Sequence, residues 1–462
     1  MIRVFRHYVP LPLLVLGIIE FAALILAAVL AWYGRLWQAG LPIETAFSFL
    51  PEVLTYAIVT YVVMLAVGLY QSQCYRSVRI TALRLAVALA IDFVALSVIF
   101  FTFPGITTWR SVFVVAALLT YFSILTLRWI FSRLVGWHRF RRRVLVLGAG
   151  QRARRLQTMA GAPGAGFEVF RYVQMAPSED DIEGAVPRES IGSLSSYMEM
   201  HNVEDVVVAL QERRGSLPVS DLLHVRMSGF GVYDLSAFIE QQTGRVDLDS
   251  LNPSWLIFSD GFRSSRRTAL VAKRLFDILA SSLLLLLTAP ILLITAVAIR
   301  LTSPGPIFYR QVRVGQFGEP FEVLKFRSMR VDAEKDGRPQ WAQKGDPRVT
   351  TIGKIIRSSR IDEIPQIFNV LRGDMSFVGP RPERPFFVDE LAKKIPFYNE
   401  RHIVKPGITG WAQLNYPYGA SEEDARHKLE FDLYYIKNYT IFLDLLILIQ
   451  TVRVVLWQDG VR

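Results

Sequence analysis

Five long apolar segments dominate the pattern of hydrophobic and polar positions along the chain. Four lie near the start, at about 11–33, 50–70, 85–103 and 111–132, and the fifth covers 278–299. Each has about the 20 residues that a helix needs to cross a bilayer. Charges are too sparse inside the first four segments for buried helices of a soluble protein. The pattern therefore predicts a four-helix transmembrane bundle.

The part of the chain from about 144 to 250 has a different pattern, in which short apolar runs alternate with polar, helix-like stretches. The first run, residues 143–147, leads directly into a glycine turn at 148–150. Further apolar runs predict three later strands, at Val173, 205–210 and 231–233. Strands separated by helical stretches are typical of βαβ units, so we expect a Rossmann-like α/β domain with a parallel sheet.

Charges beside the four apolar segments predict how they are oriented. Basic residues precede the first segment, lie between the second and third and follow the fourth, at Arg3, Arg6, Arg76, Arg79, Arg84, Arg139, Arg141, Arg142 and Arg143. Because lysine and arginine are concentrated in cytoplasmic loops, both termini and the soluble parts are expected in the cytoplasm.

The fifth apolar segment has basic residues on both sides, at Arg266, Arg267, Lys273 and Arg274 before it and Arg300, Arg310 and Arg313 after it. Both flanks therefore favour the cytoplasmic side. Pro290 lies in the middle, where it removes a backbone hydrogen bond and favours a kink. We expect a re-entrant helix at about 275–301 that is kinked at Pro290. A plain fifth span is the alternative, and it would place the C-terminal third on the outer side.

The composition restricts the partners of the chain. Its 462 residues carry a formal net charge of +11, and 52% of them are hydrophobic. Because the basic residues flank apolar segments, membrane lipids and phosphate-bearing substrates are favoured as partners, and nucleic acid is not. The single cysteine, Cys74, excludes an intramolecular disulfide. The last apolar stretch, 440–457, is interrupted by Asp444, Gln450 and Arg453, so we expect an interfacial or packed helix there.

The C-terminal third holds the residues that could carry chemistry. Its basic candidates for phosphate binding are Lys325, Arg327, Arg357 and Arg381. Lys325 and Arg327 would share one face of a strand, and arginine suits phosphate oxygens well. Asp362 and Glu363 are adjacent and precede an apolar run. They could simply cap a helix, or they could serve as a nucleophile and as Mg²⁺ ligands.

Six motifs follow one another in the C-terminal part: KRLFD at 273–277, Pro290, KFRSM at 325–329, IDEIPQ at 361–366, NVLRGDMSFVGPRP at 369–382 and KPGITGWAQ at 405–413. In content and order they resemble the bacterial sugar transferases, or polyprenyl-phosphate phosphoglycosyl transferases, of exopolysaccharide and O-antigen synthesis. The likeness covers about 267–462, and the N-terminal bundle with its Rossmann-like domain resembles the long form of that family. Residues 416–421 further resemble the branch associated with exosortase-type exopolysaccharide clusters.

The resemblance implies an activity: transfer of a sugar-1-phosphate from a UDP-sugar to polyprenyl (undecaprenyl) phosphate, with release of UMP. It implies Asp362 as the nucleophile, Glu363 as its partner in metal or proton handling, and Mg²⁺ held by both. It also implies phosphate or substrate binding by Arg357, Arg381, Lys325, Arg327 and Asp432, and contact with lipid headgroups by Lys273 and Arg274. The implied location is the bacterial inner membrane. Two departures are Ala289, where the family often has serine before the proline, and Lys405, where it often has arginine. With Ala289 in place, a hydrogen bond to the freed carbonyl must come from Thr288 or from elsewhere.

We therefore expect a multi-domain membrane protein with three parts. These are a four-helix bundle over 1–138, a Rossmann-like cytoplasmic domain over 139–262 and an α+β monotopic catalytic domain over 263–462. The glycine turn fits a dinucleotide fingerprint, but the second strand does not end in an acid for the ribose, so a regulatory or assembly role is favoured over bound NAD.

Two other classes of function are alternatives for a chain with a membrane bundle and a Rossmann-like domain. A nucleotide-sugar dehydratase or epimerase would need a tyrosine with a lysine four residues on, and the chain has none. A non-enzymatic scaffold for polysaccharide assembly stays open. So do the sugar that is transferred, a homo-oligomer and contacts with other polysaccharide-assembly proteins.

Overall fold

The structure is a computed structural model that describes residues 1–42, 49–71, 74, 77–106, 108–135, 141–162, 165–176, 182–211, 216–251, 267–331, 346–417, 419 and 421–457. The chain forms two compact units, one of Met1–Val4 with Tyr8–Thr243 and one of Phe5–His7 with Gly244–Arg462. The domain boundaries expected at 138 and 262 lie outside the described residues, as do Arg76, Arg139, Arg263 and Arg266.

The first unit begins with a short hairpin followed by four long helices, which are β1 (Ile2–Val4), β2 (His7–Val9), α1 (Leu11–Gln38), α2 (Leu50–Val67), α3 (Val78–Thr102) and α4 (Arg110–Ile130). All four helices are long and apolar enough to cross a membrane, which confirms the predicted apolar helices. They share a core that includes Ala28, Val53, Leu96 and Ala116, one residue from each helix. That they cross the bilayer as a bundle remains a prediction.

A buried ion pair joins the first and last of these helices. The guanidinium of Arg128 donates to Glu20, with Nε 2.6 Å from Oε1, and also to the carbonyl of Leu69 at 2.8 Å. The hydroxyl of Tyr70 donates to Glu20 Oε2 at 2.6 Å. Inside an apolar environment each charge needs such a partner, because an unpaired charge there is expensive. The pair therefore fixes which faces of α1 and α4 meet.

The rest of the first unit is a parallel α/β sheet. Its elements in chain order are β3 (Arg142–Leu147), α5 (Gln151–Gly161), β4 (Phe167–Gln174), β5 (Val186–Pro187), α6 (Leu194–Met200), β6 (Asp205–Val208), α7 (Val219–Met227), β7 (Gly231–Asp234) and α8 (Leu235–Thr243). The strand order is β5-β4-β3-β6-β7, with every neighbouring pair parallel. Val144 and Val146 face one apolar core, and Leu145 and Leu147 face the other. The strands predicted from the alternating pattern are confirmed.

The second unit contains the remaining elements. They are α9 (Arg267–Thr302), β8 (Phe308–Val314), β9 (Pro320–Phe326), α10 (Thr351–Ser358), α11 (Ile367–Arg372), β10 (Ser376–Val378), α12 (Pro385–Lys394), β11 (Gly407–Thr409), α13 (Trp411–Asn415), α14 (Glu422–Asn438) and α15 (Ile441–Trp457). Strands β8 and β9 form an antiparallel hairpin, and β10 and β11 pair in parallel. A Cβ at Gly379 or at Gly407 would overlap the backbone of the other segment, so the chain approaches itself closely just after β10.

Helix α9 runs from Arg267 to Thr302 with Pro290 inside it. Proline has no N–H to offer the carbonyl of Leu286, one turn earlier. The hydroxyl of Thr288 donates to the carbonyl of Leu284 at 2.7 Å. Of the two sources that were left open, Thr288 is therefore not the partner of the carbonyl freed by the proline, and that partner would have to come from elsewhere. The re-entrant path of this helix remains a prediction.

Helix α15 corresponds to the last apolar stretch. Leu443, Asp444 and Ile447 are buried against the second unit, whereas Leu445 and Leu456 are exposed. This two-sided pattern fits the expected interfacial or packed helix.

Replacing Glu20 by glutamine tests the buried ion pair in the first unit. The Arg128 charge would lose its counter-charge, and we expect a loss of about 3–5 kcal/mol in stability. Thermal unfolding of the purified protein measures this loss. The double variant Glu20→Gln/Arg128→Gln should recover much of it. The matched control is Glu322→Gln in the exposed pair with Arg310, for which the expected change is about 0–1 kcal/mol. Equal losses for both pairs would contradict the assignment.

Candidate active site

The acidic pair lies on a short 3-10 helix between α10 and α11. This helix, Ile361–Gln366, contains both acids and Pro365. Arg360 enters it with a left-handed backbone at φ 59°, a conformation that costs a residue with a Cβ about 1 kcal/mol or more. Asp362 and Glu363 are only 8% and 9% exposed, and no side chain caps the start of this helix. The two acids therefore do not have the helix-capping role that was the alternative interpretation.

Glu363 is held by two cations from other elements. Lys325, on β9, lies with Nζ 2.9 Å from Glu363 Oε1. Arg381, in the loop after β10, donates from Nη2 to the same oxygen at 2.5 Å and from Nη1 to Oε2 at 3.3 Å. Burial alone would raise the pKa of Glu363, but the charges of Arg381 and Lys325 outweigh burial and hold this pKa well below its usual value. Glu363 is therefore ionised, and both its oxygens are occupied.

Asp362 has the opposite environment. Within the described ranges, its carboxylate has no hydrogen-bond or ion-pair partner. Burial, together with the neighbouring charge of Glu363, raises the pKa of Asp362 to about 6, while Lys325, Arg360 and Arg357 act in the other direction. The two adjacent carboxyl groups thus differ in role. Glu363 is fixed and charged, whereas Asp362 is available and titrates close to neutral pH.

Arg357 lies at the end of α10, half-buried, where its charge lowers the pKa of Asp362. The structure thus brings Arg357, Lys325 and Arg381 around the acidic pair, as the sequence predicted. It adds Arg313, which the sequence analysis used only as a flanking charge. Arg313 donates to the carbonyl of Pro382 at 3.0 Å and lies 3.5 Å from Glu383. It lies on β8 next to the buried Val314 and outside the six motifs, so no sequence signal distinguished it.

Two of the residues predicted to bind phosphate or substrate lie elsewhere. Arg327 follows β9 and donates to the carbonyls of Ser303 and Pro304 at 2.8 Å each. It holds the chain at the end of α9 and does not join Lys325 at the acidic pair. Asp432, on α14, pairs with Arg401 at 2.8 Å and is 2% exposed. Direct contact of Asp432 with a substrate would require this pair to separate.

Lys273 and Arg274, which were expected at lipid headgroups, have partners inside the second unit. Lys273 donates to Asp444 at 2.7 Å and to the carbonyl of Val378 at 3.1 Å. Arg274 donates to the carbonyls of Val370 and Leu371 at the end of α11, at 2.5 and 2.7 Å. These hydrogen bonds join α9 to the rest of its unit, so headgroup binding would have to break them.

Asp277 also joins α9 to the rest of its unit. No role was predicted for it from the sequence, although it ends the KRLFD motif. Its Oδ1 accepts from the hydroxyl of Ser376 and from the backbone N–H of Phe377, both at 3.0 Å. Because Lys273 and Asp277 are one turn apart, one face of α9 carries the polar contacts that hold β10 in place.

The donor atoms near the acidic pair suit a magnesium ion that is completed by its substrate. No cluster of three or more acidic, histidine or cysteine side chains that could hold a metal occurs among the described residues. Mg²⁺ commonly uses one or two carboxylates and takes its other ligands from phosphates and water. Asp362 offers oxygens without partners, whereas Glu363 would first have to give up Lys325 and Arg381. The fit is therefore to Asp362 first.

Comparison with known protein families gives two matches. Residues 268–458 match the family described as bacterial sugar transferase, and residues 65–217 match the family described as CoA-binding domain. The second match begins in α2 and ends after β6, so it crosses the boundary expected at 138.

Curated relatives are similar over large parts of the chain. The UDP-N-acetylgalactosamine-undecaprenyl-phosphate N-acetylgalactosaminephosphotransferase of Aeromonas hydrophila is 48% identical over 231 residues, 50% of this chain and 53% of that protein. The UDP-glucose:undecaprenyl-phosphate glucose-1-phosphate transferases of Klebsiella pneumoniae and Escherichia coli (strain K12) are 38% and 34% identical, over 64% and 69% of each chain. The matches thus span from about half to about two thirds of these relatives.

Together, the five apolar helices and the buried carboxylate pair among basic side chains define a membrane-associated protein with a carboxylate-centred site. The matches above identify the class more closely. The chain belongs to the bacterial sugar transferase family.

Replacing Asp362 by asparagine tests its unfavourable charge. Its folded-state pKa of about 6 lies above the ordinary 3.8, so the folded protein loses stability as the pH rises from about 4 through 6. The variant should therefore unfold at a higher temperature than the wild type, with a small difference below about pH 4 and nearly the full difference by about pH 7. Each kcal/mol corresponds to about 2–4 °C, and differential scanning fluorimetry measures it.

Glu363→Gln is the matched comparison for this variant, because it removes the neighbouring acid. Lys325 and Arg381 would lose their counter-charge, so this variant should unfold at a lower temperature at every pH above about 5. Stabilisation by both changes, or by neither, would refute the difference between the two acids.

Proposed function

We propose that this protein transfers a sugar-1-phosphate from a UDP-sugar to polyprenyl (undecaprenyl) phosphate and releases UMP. The observation that carries the proposal is the contrast between the two buried acids. Asp362 has no partner among the described residues and a pKa of about 6, beside a Glu363 fixed by Lys325 and Arg381. A carboxylate that is buried, available and ionised near neutral pH has the properties of a nucleophile.

In the first half of the reaction, an oxygen of Asp362 attacks the β-phosphorus of the UDP-sugar. The new bond joins this oxygen to phosphorus, and the bond to the bridging oxygen breaks, so that its electron pair leaves with UMP. An aspartyl phospho-sugar results. Two arginines are the candidates to hold the diphosphate oxygens. They are Arg357, whose guanidinium has no hydrogen-bond or ion-pair partner in the described parts of the chain, and Arg381, which is partly exposed.

In the second half, a phosphate oxygen of polyprenyl phosphate attacks the aspartyl phosphorus. The bond to Asp362 breaks, the carboxylate is regenerated, and a polyprenyl diphosphate sugar leaves. Two displacements at one phosphorus divide a difficult transfer into easier steps. Glu363, as a fixed negative charge, keeps Lys325 and Arg381 in place through both steps.

Mg²⁺ would be held by Asp362 together with substrate phosphate and water, and it would supply positive charge for the diphosphate. Lys325 and Arg381 add charge from the protein side. Because Arg381 is bonded to both oxygens of Glu363, its guanidinium is oriented before any substrate arrives, which lowers the reorganisation needed during the reaction.

A membrane location fits the lipid acceptor. Helix α9 exposes leucine and isoleucine side chains along most of its length, among them Leu283, Leu286, Leu287, Leu293 and Ile294. Basic residues on both flanks favour a re-entrant helix with the catalytic unit on the cytoplasmic face of the inner membrane, where UDP-sugars are made. We place the protein there as a multi-pass protein with both termini in the cytoplasm.

The biological role that we propose is the priming step of exopolysaccharide synthesis. The named relatives act on UDP-N-acetylgalactosamine or UDP-glucose and on undecaprenyl phosphate. The residues 416–421 that favour the exosortase-associated branch include two positions, 418 and 420, outside the described part of the chain.

The proposal predicts Mg²⁺-dependent release of UMP from a UDP-sugar by purified protein with polyprenyl phosphate in detergent or nanodiscs. Asp362→Asn should lower the rate by about a thousandfold or more, since the nucleophile is lost. The control is Glu322→Gln, an exposed acid on β9, which should keep the wild-type rate. Full turnover by Asp362→Asn would remove this residue as the nucleophile.

The donor sugar is determined by a second measurement with the same assay. UDP-glucose, UDP-galactose and their N-acetyl forms are compared by their kcat/KM values. We expect one of the four to be preferred over the others by at least about tenfold, since a hydroxyl or acetamide that a site binds by hydrogen bonds discriminates strongly. Equal rates for all four would show that the sugar is not recognised at this step.

A further inference from the structure

A buried arginine lies behind the loop that carries Arg381. Arg401, on the 3-10 helix Tyr398–Ile403, is only 5% exposed. Its Nη2 donates to the backbone carbonyl of Arg381 at 3.0 Å and lies 2.8 Å from Asp432 Oδ2. Its Nη1 donates to the hydroxyl of Tyr398 at 2.8 Å. One guanidinium thus connects α14 to the loop at the acidic pair.

The loop itself has little freedom. The carbonyls of four consecutive residues, 380–383, each accept a hydrogen bond: from Gly407 N–H, Arg401, Arg313 and Val314 N–H in that order. Pro380 and Pro382 fix their own φ angles on either side of Arg381. The carbonyl bonded to Arg401 belongs to the residue whose side chain holds Glu363. A shift of that carbonyl therefore shifts the attachment point of the Arg381 side chain.

Burying Arg401 without a counter-charge would be costly, and Asp432 supplies that charge. Asp432 is itself 2% exposed. Burial raises its pKa to about 6, and the charge of Arg401 opposes this rise. Arg401 and Asp432 lie too deep to contact a substrate. Arg401 nevertheless contacts the backbone of Arg381, whose side chain reaches the acidic pair.

We propose that Arg401, held by Asp432, is a positioning residue for the transfer reaction, because it fixes the Arg381 carbonyl and thereby keeps the Arg381 guanidinium on Glu363. This assigns Asp432 an indirect role in place of substrate binding. The inference rests on the proposed function. Arg381 supplies positive charge to the acidic pair, so displacing it makes the pair retain its last proton to a higher pH.

The test is the pH dependence of UMP release by Arg401→Lys. Lysine keeps a charge for Asp432, but as a point charge it does not reproduce the fork that spans Asp432, Tyr398 and the carbonyl. We expect the acidic limb of the kcat profile to move up by about one pH unit, with activity roughly halved near pH 7 and largely regained at about pH 8.5. Arg381→Gln should move the limb in the same direction, and the double variant should add little to it.

Two controls separate positioning from general damage. Lys394→Met, in an exposed pair with Glu422, should leave the profile unchanged. Tyr398→Phe removes one partner of Arg401 and keeps the ring, so it should shift the limb by a smaller amount. If Arg401→Lys does not fold, Tyr398→Phe decides the question. A rate that falls equally at all pH values, with the limb in its wild-type place, would overturn the inference.

A readout without turnover distinguishes this inference from the proposed function. The stabilisation by Asp362→Asn develops as the pH rises through the pKa of the acidic pair. In an Arg401→Lys background, this development should level off about one pH unit higher. Levelling off at the unchanged pH would overturn the positioning role. If instead wild-type protein released no UMP from any of the four UDP-sugars, the proposed function would fail, whatever the stability measurement gave.

Discussion

The cations on Glu363 are the constraint on which the rest of the site depends. A buried carboxylate would ordinarily take up a proton, and Lys325 and Arg381 prevent this at position 363. The resulting fixed charge lies next to Asp362, whose proton it makes harder to lose. The same contact therefore produces an ionised anchor and a neighbour that titrates near neutral pH. It also joins β9, the loop after β10 and the 3-10 helix, so that the chemistry and the local fold share one set of hydrogen bonds.

The sequence predicted much of the architecture because the relevant signals are local. The apolar lengths of α1 to α4 and the run before Gly148 are each readable within about 25 residues, and each became the expected element. The acidic pair and three of its basic neighbours, Lys325, Arg357 and Arg381, were also predicted from the sequence. Hydrophobic periodicity and composition are sufficient to predict a helix or strand whose own residues carry the pattern.

The remainder depended on contacts between distant parts of the chain. Lys325 and Arg327 are two residues apart, yet one contacts Glu363 and the other the end of α9, because β9 ends at Phe326 and Arg327 no longer follows the strand alternation. Arg401 and Asp432 meet across a separation of 31 residues, which no periodicity reveals. Lys273 and Arg274 look like interfacial cations in the sequence, and only the fold shows that carbonyls and Asp444 engage them.

The polar face of α9 limits which membrane segments could replace this helix. Lys273 and Asp277 reach β10 and α15, and Arg274 closes the end of α11. A generic hydrophobic anchor of equal length would supply none of these groups. Chimaeras that graft the catalytic body onto a foreign membrane segment would therefore need to retain the first three turns of α9. One helix thus combines an apolar surface long enough to cross a membrane with the polar groups that assemble the unit around it.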